Sequence, residues 1–247
     1  MRTIALSNLS ILSTSLFRGP RAAWERAQAA GFDALKINPL RGWTARRIRK
    51  ARIPVVAFEA PWRFSFLESL SWAKQGEVRA LLIDPLLFGY QGADRRAREY
   101  ARSFPDIVGV DCPPDYIGDF VSVEETDAQK RPNPVALLNS QVPILFDTWH
   151  IRGYSDHENL LLALKEKGRI KAIDVQSREL TDWILLLKNS TVGPLVRQLA
   201  VLSSLPQEVS ASVELHPFHI KPLAKYFEMS REEVLAAIQY SVRYALK

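Results

Sequence analysis

Two short apolar runs in this chain end in side chains able to hold a hard cation or move a proton. The run Val142-Pro-Ile-Leu-Phe-Asp-Thr-Trp-His150 delivers Asp147 and, three residues on, His150. The run Ser210-Ala-Ser-Val-Glu-Leu-His-Pro217 delivers Glu214 and His216. Carboxylate oxygens and imidazole nitrogens at the ends of buried strands are the donors expected of a divalent-metal site at the mouth of a parallel barrel.

Such a site needs a scaffold that brings distant strand ends together, and the rest of the chain is patterned to supply one. Apolar, β-branched segments at 3–8, 33–38, 53–58, 79–84, 107–111, 142–147, 170–175 and 209–215 alternate with helix-like stretches. That alternation is the α/β signature, and the nearly continuous apolar runs suit parallel strands buried on both faces. Helices are expected from Pro20 to a cap at Gly31, then over 43–51, 65–75, 93–104, 155–168 and 230–245. A short helix is expected over 132–140, and two pieces over 178–204, broken near Gly193-Pro194. Phe120-Val-Ser-Val-Glu-Glu125 reads either as an extra strand in a long loop or as the true fifth strand. With 247 residues, no repeat and no linker, the expectation is a single (β/α)8 TIM barrel domain spanning 1–247.

In a parallel barrel the chemistry sits at the C-terminal strand ends. Those ends carry Lys36 and Asn38, Glu59, Asp84, Asp111 with Glu124 as its rival, Asp147 with His150, Asp174 with Gln176, and Glu214 with His216. Several converging carboxylates repel one another and raise each other's pKa values, and a bound divalent cation is the usual relief. Each residue also has a plainer reading. Glu59 and Asp84, taken singly, suit helix capping or pairing with a rim arginine better than catalysis. His216 shares a strand face with Glu214 and could be a packed or hydrogen-bonded histidine. His157 suits an exposed helix start, and His219 falls in an expected loop.

At this point the chain resembles the xylose isomerase-like barrels, a superfamily of sugar isomerases and epimerases, inosose dehydratases and endonuclease IV. The resemblance is carried by the βα alternation, Asp147-x-x-His150 after strand six, Val213-Glu-x-x-Pro217 at strand eight, and the prelude Gly31-Phe-Asp-Ala-Leu-Lys-Ile-Asn38. It implies a Mn²⁺-type site built from acids of strands five, six and eight and a histidine of strand seven. Position by position, Asp147 and Glu214 match outright as metal ligands. Asp111 or Glu124 would supply the strand-five acid, and Asp174 stands where histidine is usual. His150, His216 and Gln176 would contact substrate. The chain departs from the pattern at strand two, where Lys36 stands near the usual glutamate, and at strands three and four, where Glu59 and Asp84 replace histidines. Four histidines in all are too few for the trinuclear zinc site of endonuclease IV in its usual form. The carboxylate-rich set favours Mn²⁺ or Mg²⁺ over zinc.

Three functions follow as expectations. The first is a metal-dependent isomerase or epimerase of a small sugar-like carbonyl compound, in which the metal polarises the carbonyl and a carboxylate moves a proton through an enediolate. Glu214, Asp111 or Glu124 would be the catalytic acids, and Lys36 would hold an anionic group or stabilise the enediolate. The second is a barrel that has lost catalysis and acts as a binding or scaffold protein, motivated by Lys36 and the replaced histidines. The third is a phosphodiesterase on nucleic acid. Its motive is a net charge of +6 with a cluster at Arg41, Arg46, Arg47, Arg49, Lys50 and Arg52. The plainer account of that cluster is the solvated face of an outer helix, and it leads. No apolar run is long enough to span a bilayer, and the first residues read as a buried strand rather than a secretion signal. The lone cysteine, Cys112, excludes an intramolecular disulfide and fits a cytoplasmic location. No glycine-rich phosphate loop or nucleophile elbow is present.

Overall fold

The fold is read from a computed structural model, in which the described residues are 1–38, 40, 43–59, 80–82, 108–111, 138, 144–153 and 156–247. All eight expected strands are present: β1 (Ile4–Ser7), β2 (Ala34–Ile37), β3 (Val55–Glu59), β4 (Ala80–Leu82), β5 (Val108–Asp111), β6 (Ile144–Asp147), β7 (Ile170–Ser177) and β8 (Ser210–Leu215). Each strand pairs in parallel with the next, and β8 pairs back onto β1, so the strands close into a ring. The architecture is α/β and TIM-barrel-like. The segment 107–111 supplies the fifth strand, because β5 pairs with both β4 and β6. The rival segment Phe120–Glu125, Glu124 with it, lies outside the described residues, as do the expected helices at 65–75 and 93–104 and all but Leu138 of 132–140.

Around the strands run α1 (Leu12–Ala29), α2 (Ala45–Lys50), α3 (His157–Glu166), α4 (Leu180–Leu187), α5 (Pro194–Leu202), α6 (Pro217–Phe227) and α7 (Arg231–Ala245). Two differ from the sequence expectation. Helix α1 begins at Leu12 rather than Pro20. Its first turns hold Ser13, Thr14 and Ser15, which are poor helix formers and hide the pattern. Gly19, at φ 80° and ψ −173°, interrupts the helix there, and Pro20 opens its second part. Helix α6 occupies a stretch expected to be loop, because Pro222 inside it reads as a breaker. Its start is nonetheless signalled by Pro217 in the first turn, with the His216 side chain accepting from Phe218 N at 3.4 Å. At α7 Ser230 and Glu233 form a reciprocal capping box.

Strand alternation divides the core in two. One face of the strands carries Ile4, Leu6, Leu35, Ile37, Phe146, Ile173, Val175, Val213 and Leu215, packed with Trp183, Leu199, Val234 and Ile238 of the helices. The opposite face, inside the ring, has a floor of small side chains: Ala5, Ala34, Ala57 and Ala172, with Val56 and Leu145. Barrel interiors are normally filled by bulky branched residues. Here the small floor leaves room above it for polar side chains of the same parity, namely Ser7, Lys36, Asp147, Asp174 and Ser212, all buried.

The lower end is tied by charged groups. The Arg2 guanidinium donates to the carbonyls of Leu202, Ser203 and Leu205 at 3.3, 3.4 and 2.8 Å, at the C-terminal end of α5 where a cation complements the helix dipole. Asp33 Oδ2 accepts from Ile4 N at 2.8 Å and from Arg243 at 2.7 Å, joining β1 to α7. Among the described residues no helix is long and apolar enough to cross a membrane.

Gly193 joins α4 to α5 at φ +116°, a region open essentially to glycine alone. A Cβ there would lie 2.9 Å from Leu185 Cδ1. Gly193→Ala is expected to cost about 1–3 kcal/mol of stability, seen as a lower denaturant midpoint with unchanged slope.

Candidate functional site at the barrel mouth

Register decides which strand ends meet. Ser7 is level with Lys36 across β1 and β2, Asp147 with Asp174 across β6 and β7, and Asp174 with Ser212 and Gln176 with Glu214 across β7 and β8. Because the ring closes, β8 lies beside β1, and β2 is only one strand further on. Lys36 therefore reaches across the interior to residues far along the chain.

The Lys36 ammonium donates to Asp174 Oδ2 and, at 2.9 Å, to Glu214 Oε2. The Lys36 side chain is 5% exposed and that of Asp174 1%, while that of Glu214 is 16% exposed and is the one edge of the cluster open to the mouth. Every carboxylate oxygen of this pair of acids has a donor. Ser212 Oγ donates to Asp174 Oδ1 at 2.7 Å, and Gln176 Nε2 donates to Glu214 Oε1 at 3.2 Å. Ser7 Oγ at 3.2 Å and Asn38 Nδ2 at 3.5 Å approach Glu214 Oε2.

Neighbouring bonds hold these side chains in place. Asn38 N donates to Asn8 Oδ1 and Asn8 Nδ2 to the Asn38 carbonyl, both at 2.9 Å, which extends the β1–β2 pairing by side chain. Thr148 Oγ1 donates to the Gln176 carbonyl at 2.7 Å and accepts from Gln176 N at 2.9 Å. One atom stands out: Asn38 Oδ1 is buried and has no hydrogen-bond partner among the described residues. A buried acceptor left unpaired is costly unless something donates to it.

Two carboxylates share one ammonium, so the fully ionised cluster keeps a net negative charge away from water. Burial raises the Asp174 carboxyl to about 6; the Lys36 cation pulls the other way and Glu214 adds to the rise. A carboxyl raised in the folded state binds its proton more tightly there than in the unfolded chain. Its stabilising contribution is therefore complete below the ordinary carboxylate range and is lost as pH rises through about 6.

Of the residues singled out in the sequence, the fold brings together Lys36, Asp174, Gln176 and Glu214, with Asn38 beside them. Asp147 is buried, and its Oδ1 accepts from Trp149 N at 2.7 Å, closing the turn that leads into the single-turn 3₁₀ helix His150–Gly153. Asp111 ends β5, but its side chain and that of His150 lie outside the described residues, as do Glu124 and Asp84. His216 does not share the buried strand face with Glu214. It stands past the end of β8, exposed, and caps α6, because Pro217 turns the chain into a helix. His219 sits on α6, with its ring 5.6 Å from that of His216, and burial lowers its pKa.

Ser7, Thr148 and Ser212 were missed. Their signal was a polar residue at every second position of otherwise apolar strands, most clearly in Ser210-Ala-Ser-Val-Glu214.

Between Asp174 and Glu214, the position a divalent ion would take holds the Lys36 ammonium. The oxygens such an ion would need on Asp174 and Glu214 are taken by Lys36, Ser212 and Gln176, and an ion there would stand against an ammonium. Among the described residues, no group of three or more His, Cys, Asp or Glu side chains is disposed to hold a metal.

No family model and no curated protein matches the chain. Among solved structures, the tryptophan synthase alpha chain from Legionella pneumophila subsp. pneumophila aligns over 99% of this chain and 91% of that one, at 12% identity and a TM-score of 0.31. Tryptophan synthase subunit alpha from Legionella pneumophila str. Paris aligns over 99% and 92%, at 11% identity and a TM-score of 0.29. Likenesses this faint carry no argument about activity.

Lys36→Met would leave two acids facing each other in the interior without their cation. It is expected to lose about 3–5 kcal/mol near neutral pH, with part of the loss recovered in acid as a carboxyl protonates. Asp174→Asn removes the titrating group, so its stability relative to the wild type should improve as pH rises from the ordinary carboxylate range through about 6. Urea unfolding across that range checks both; a variant difference that does not move with pH would refute the assignment.

Proposed function

We propose that the chain is a complete (β/α)8 barrel of the xylose isomerase-like kind in which Lys36 has taken the place of the divalent metal, and that it acts as a binding protein. The observation that carries this reading is the Lys36 ammonium lying between Asp174 and Glu214. It supplies, from within the chain, the positive charge that converging carboxylates require. A metal works by offering open coordination positions to a substrate carbonyl. Lys36 is instead enclosed by acceptors and almost wholly buried, so it pins strands rather than presenting an electrophile.

What remains available at the mouth is acceptor character. Glu214 presents its partly exposed edge, and Asn38 Oδ1 lacks a donor among the described residues. Both suit a small ligand rich in hydroxyl groups, each of which can donate one hydrogen bond. The sugar-like ligand expected from the sequence is kept, and the metal-dependent isomerisation is not.

Three measurements on the purified protein test this reading: elemental analysis after incubation with Mn²⁺ or Mg²⁺, C–H exchange in D₂O with a panel of sugars, and melting temperature with a panel of polyols. The expected result is no retained metal, no exchange, and a raised melting temperature with at least one polyol that is lost in Glu214→Ala. Stoichiometric metal together with exchange abolished by Asp174→Asn and Glu214→Gln would overturn it and restore the isomerase.

A further inference from the structure

Between α1 and α2 lies a groove of about 410 Å³ whose lining shares no residue with the Lys36 cluster. Its cations come from both helices: Arg18 and Arg21 from the interrupted part of α1, Arg47 and Lys50 from α2. Among the described residues, no acidic side chain lines it. Its floor is fixed by Trp43, buried with its Nε1 donating to the Ser15 carbonyl at 2.8 Å. At its edge stands Phe17, 86% exposed. Arg46, Arg49 and Arg52 are exposed on or just beyond α2 and extend the positive surface.

A solvated helix face accounts for cations on one helix. It does not account for cations from two helices converging on one concavity, nor for a phenylalanine left in water at its edge. Arg21 shares an exposed ion pair with Glu25 at 2.9 Å, a weak interaction that a stronger anion can replace. Arg18 and Lys50 have no ion-pair partner among the described residues. Repeated negative charge with flat apolar faces between is the chemistry of a single nucleic-acid strand, whose phosphates pair with Lys and Arg while its bases stack on aromatic rings. A volume of this size accepts about one nucleotide unit, with the flanking strand running over the exposed arginines.

We propose that this groove binds single-stranded nucleic acid, with Arg18, Arg21, Arg47 and Lys50 holding phosphates and Phe17 stacking on a base. The groove has no lining residue in common with the Lys36 cluster and does not depend on the reading given for it. Single-stranded RNA and DNA share the required chemistry, and the test separates them.

Fluorescence anisotropy with labelled oligouridine and oligothymidine of about 20 nucleotides measures the binding. Neutralising four phosphates predicts a log–log salt slope of about −3, or roughly a fifty-fold loss of affinity between about 50 and 200 mM salt. Arg18→Glu combined with Lys50→Glu is expected to lower affinity by at least about tenfold without changing the melting temperature. Phe17→Ala is expected to lower it by about tenfold. Tighter binding of one oligomer than the other identifies which nucleic acid is read. No binding at low salt, equal binding by the charge-reversed variant, or equal binding by Phe17→Ala with heparin or anionic vesicles competing as well as the oligomers would each overturn the proposal.

Discussion

The interior of this barrel is organised by one ammonium and two carboxylates. Asp174 on β7 and Glu214 on β8 come from adjacent strands, and Lys36 on β2 lies within reach of them because the ring closes through β1. None of the three charges could be buried alone. An isolated ion in a low-dielectric interior is so unfavourable that it would neutralise or drag water in with it. Pairing offsets that cost, and the surrounding donors Ser7, Ser212, Gln176 and Asn38 use the remaining carboxylate oxygens. The alanine floor is a consequence of the same arrangement, since bulky side chains at Ala5, Ala34 or Ala172 would occupy the space that the long lysine side chain crosses.

On the reading proposed above, the cluster accounts for two departures from the metal-binding pattern, Lys36 at strand two and Asp174 at strand seven, as one change. A glutamate at the end of strand two and a histidine at strand seven suit a cation supplied from solution. A lysine at the first place and an aspartate at the second suit a cation supplied by the chain. On that reading the ammonium supplies one positive charge where a divalent ion would supply two, and gives up open coordination, the property that catalysis by the metal would need. With the interior satisfied from within, the exposed chemistry moves elsewhere. It lies at the acceptor edge of Glu214 and along the positive groove between α1 and α2.

Much of the fold was legible in the sequence because burial imposes a period. The eight strands, the break at Gly193-Pro194 and the Gly31 terminus of α1 are all local signals, readable from a few adjacent residues. The first turns of α1 and the whole of α6 were not legible, since serines, threonine and an internal proline oppose the helical pattern and only packing overrides them. The site divides in the same way. Lys36, Asp174, Gln176 and Glu214 were visible as polar residues at strand ends, whereas His216 looked like a strand residue until Pro217 turned it into a helix cap.

By itself, the sequence determined which residues are buried, which strands they belong to and which end of each strand carries charge, since all of these follow from local patterning. It could not determine which charges meet. Whether Asp174 and Glu214 face a metal ion, one another or Lys36 depends on ring closure and on register between strands more than a hundred residues apart. A lysine side chain is long enough to satisfy either a solvent-facing or an inward-facing reading of the same pattern. Only the tertiary structure brought Nζ between the two carboxylates, and only it joined basic residues of two helices into one groove, because both are matters of distance across space rather than spacing along the chain.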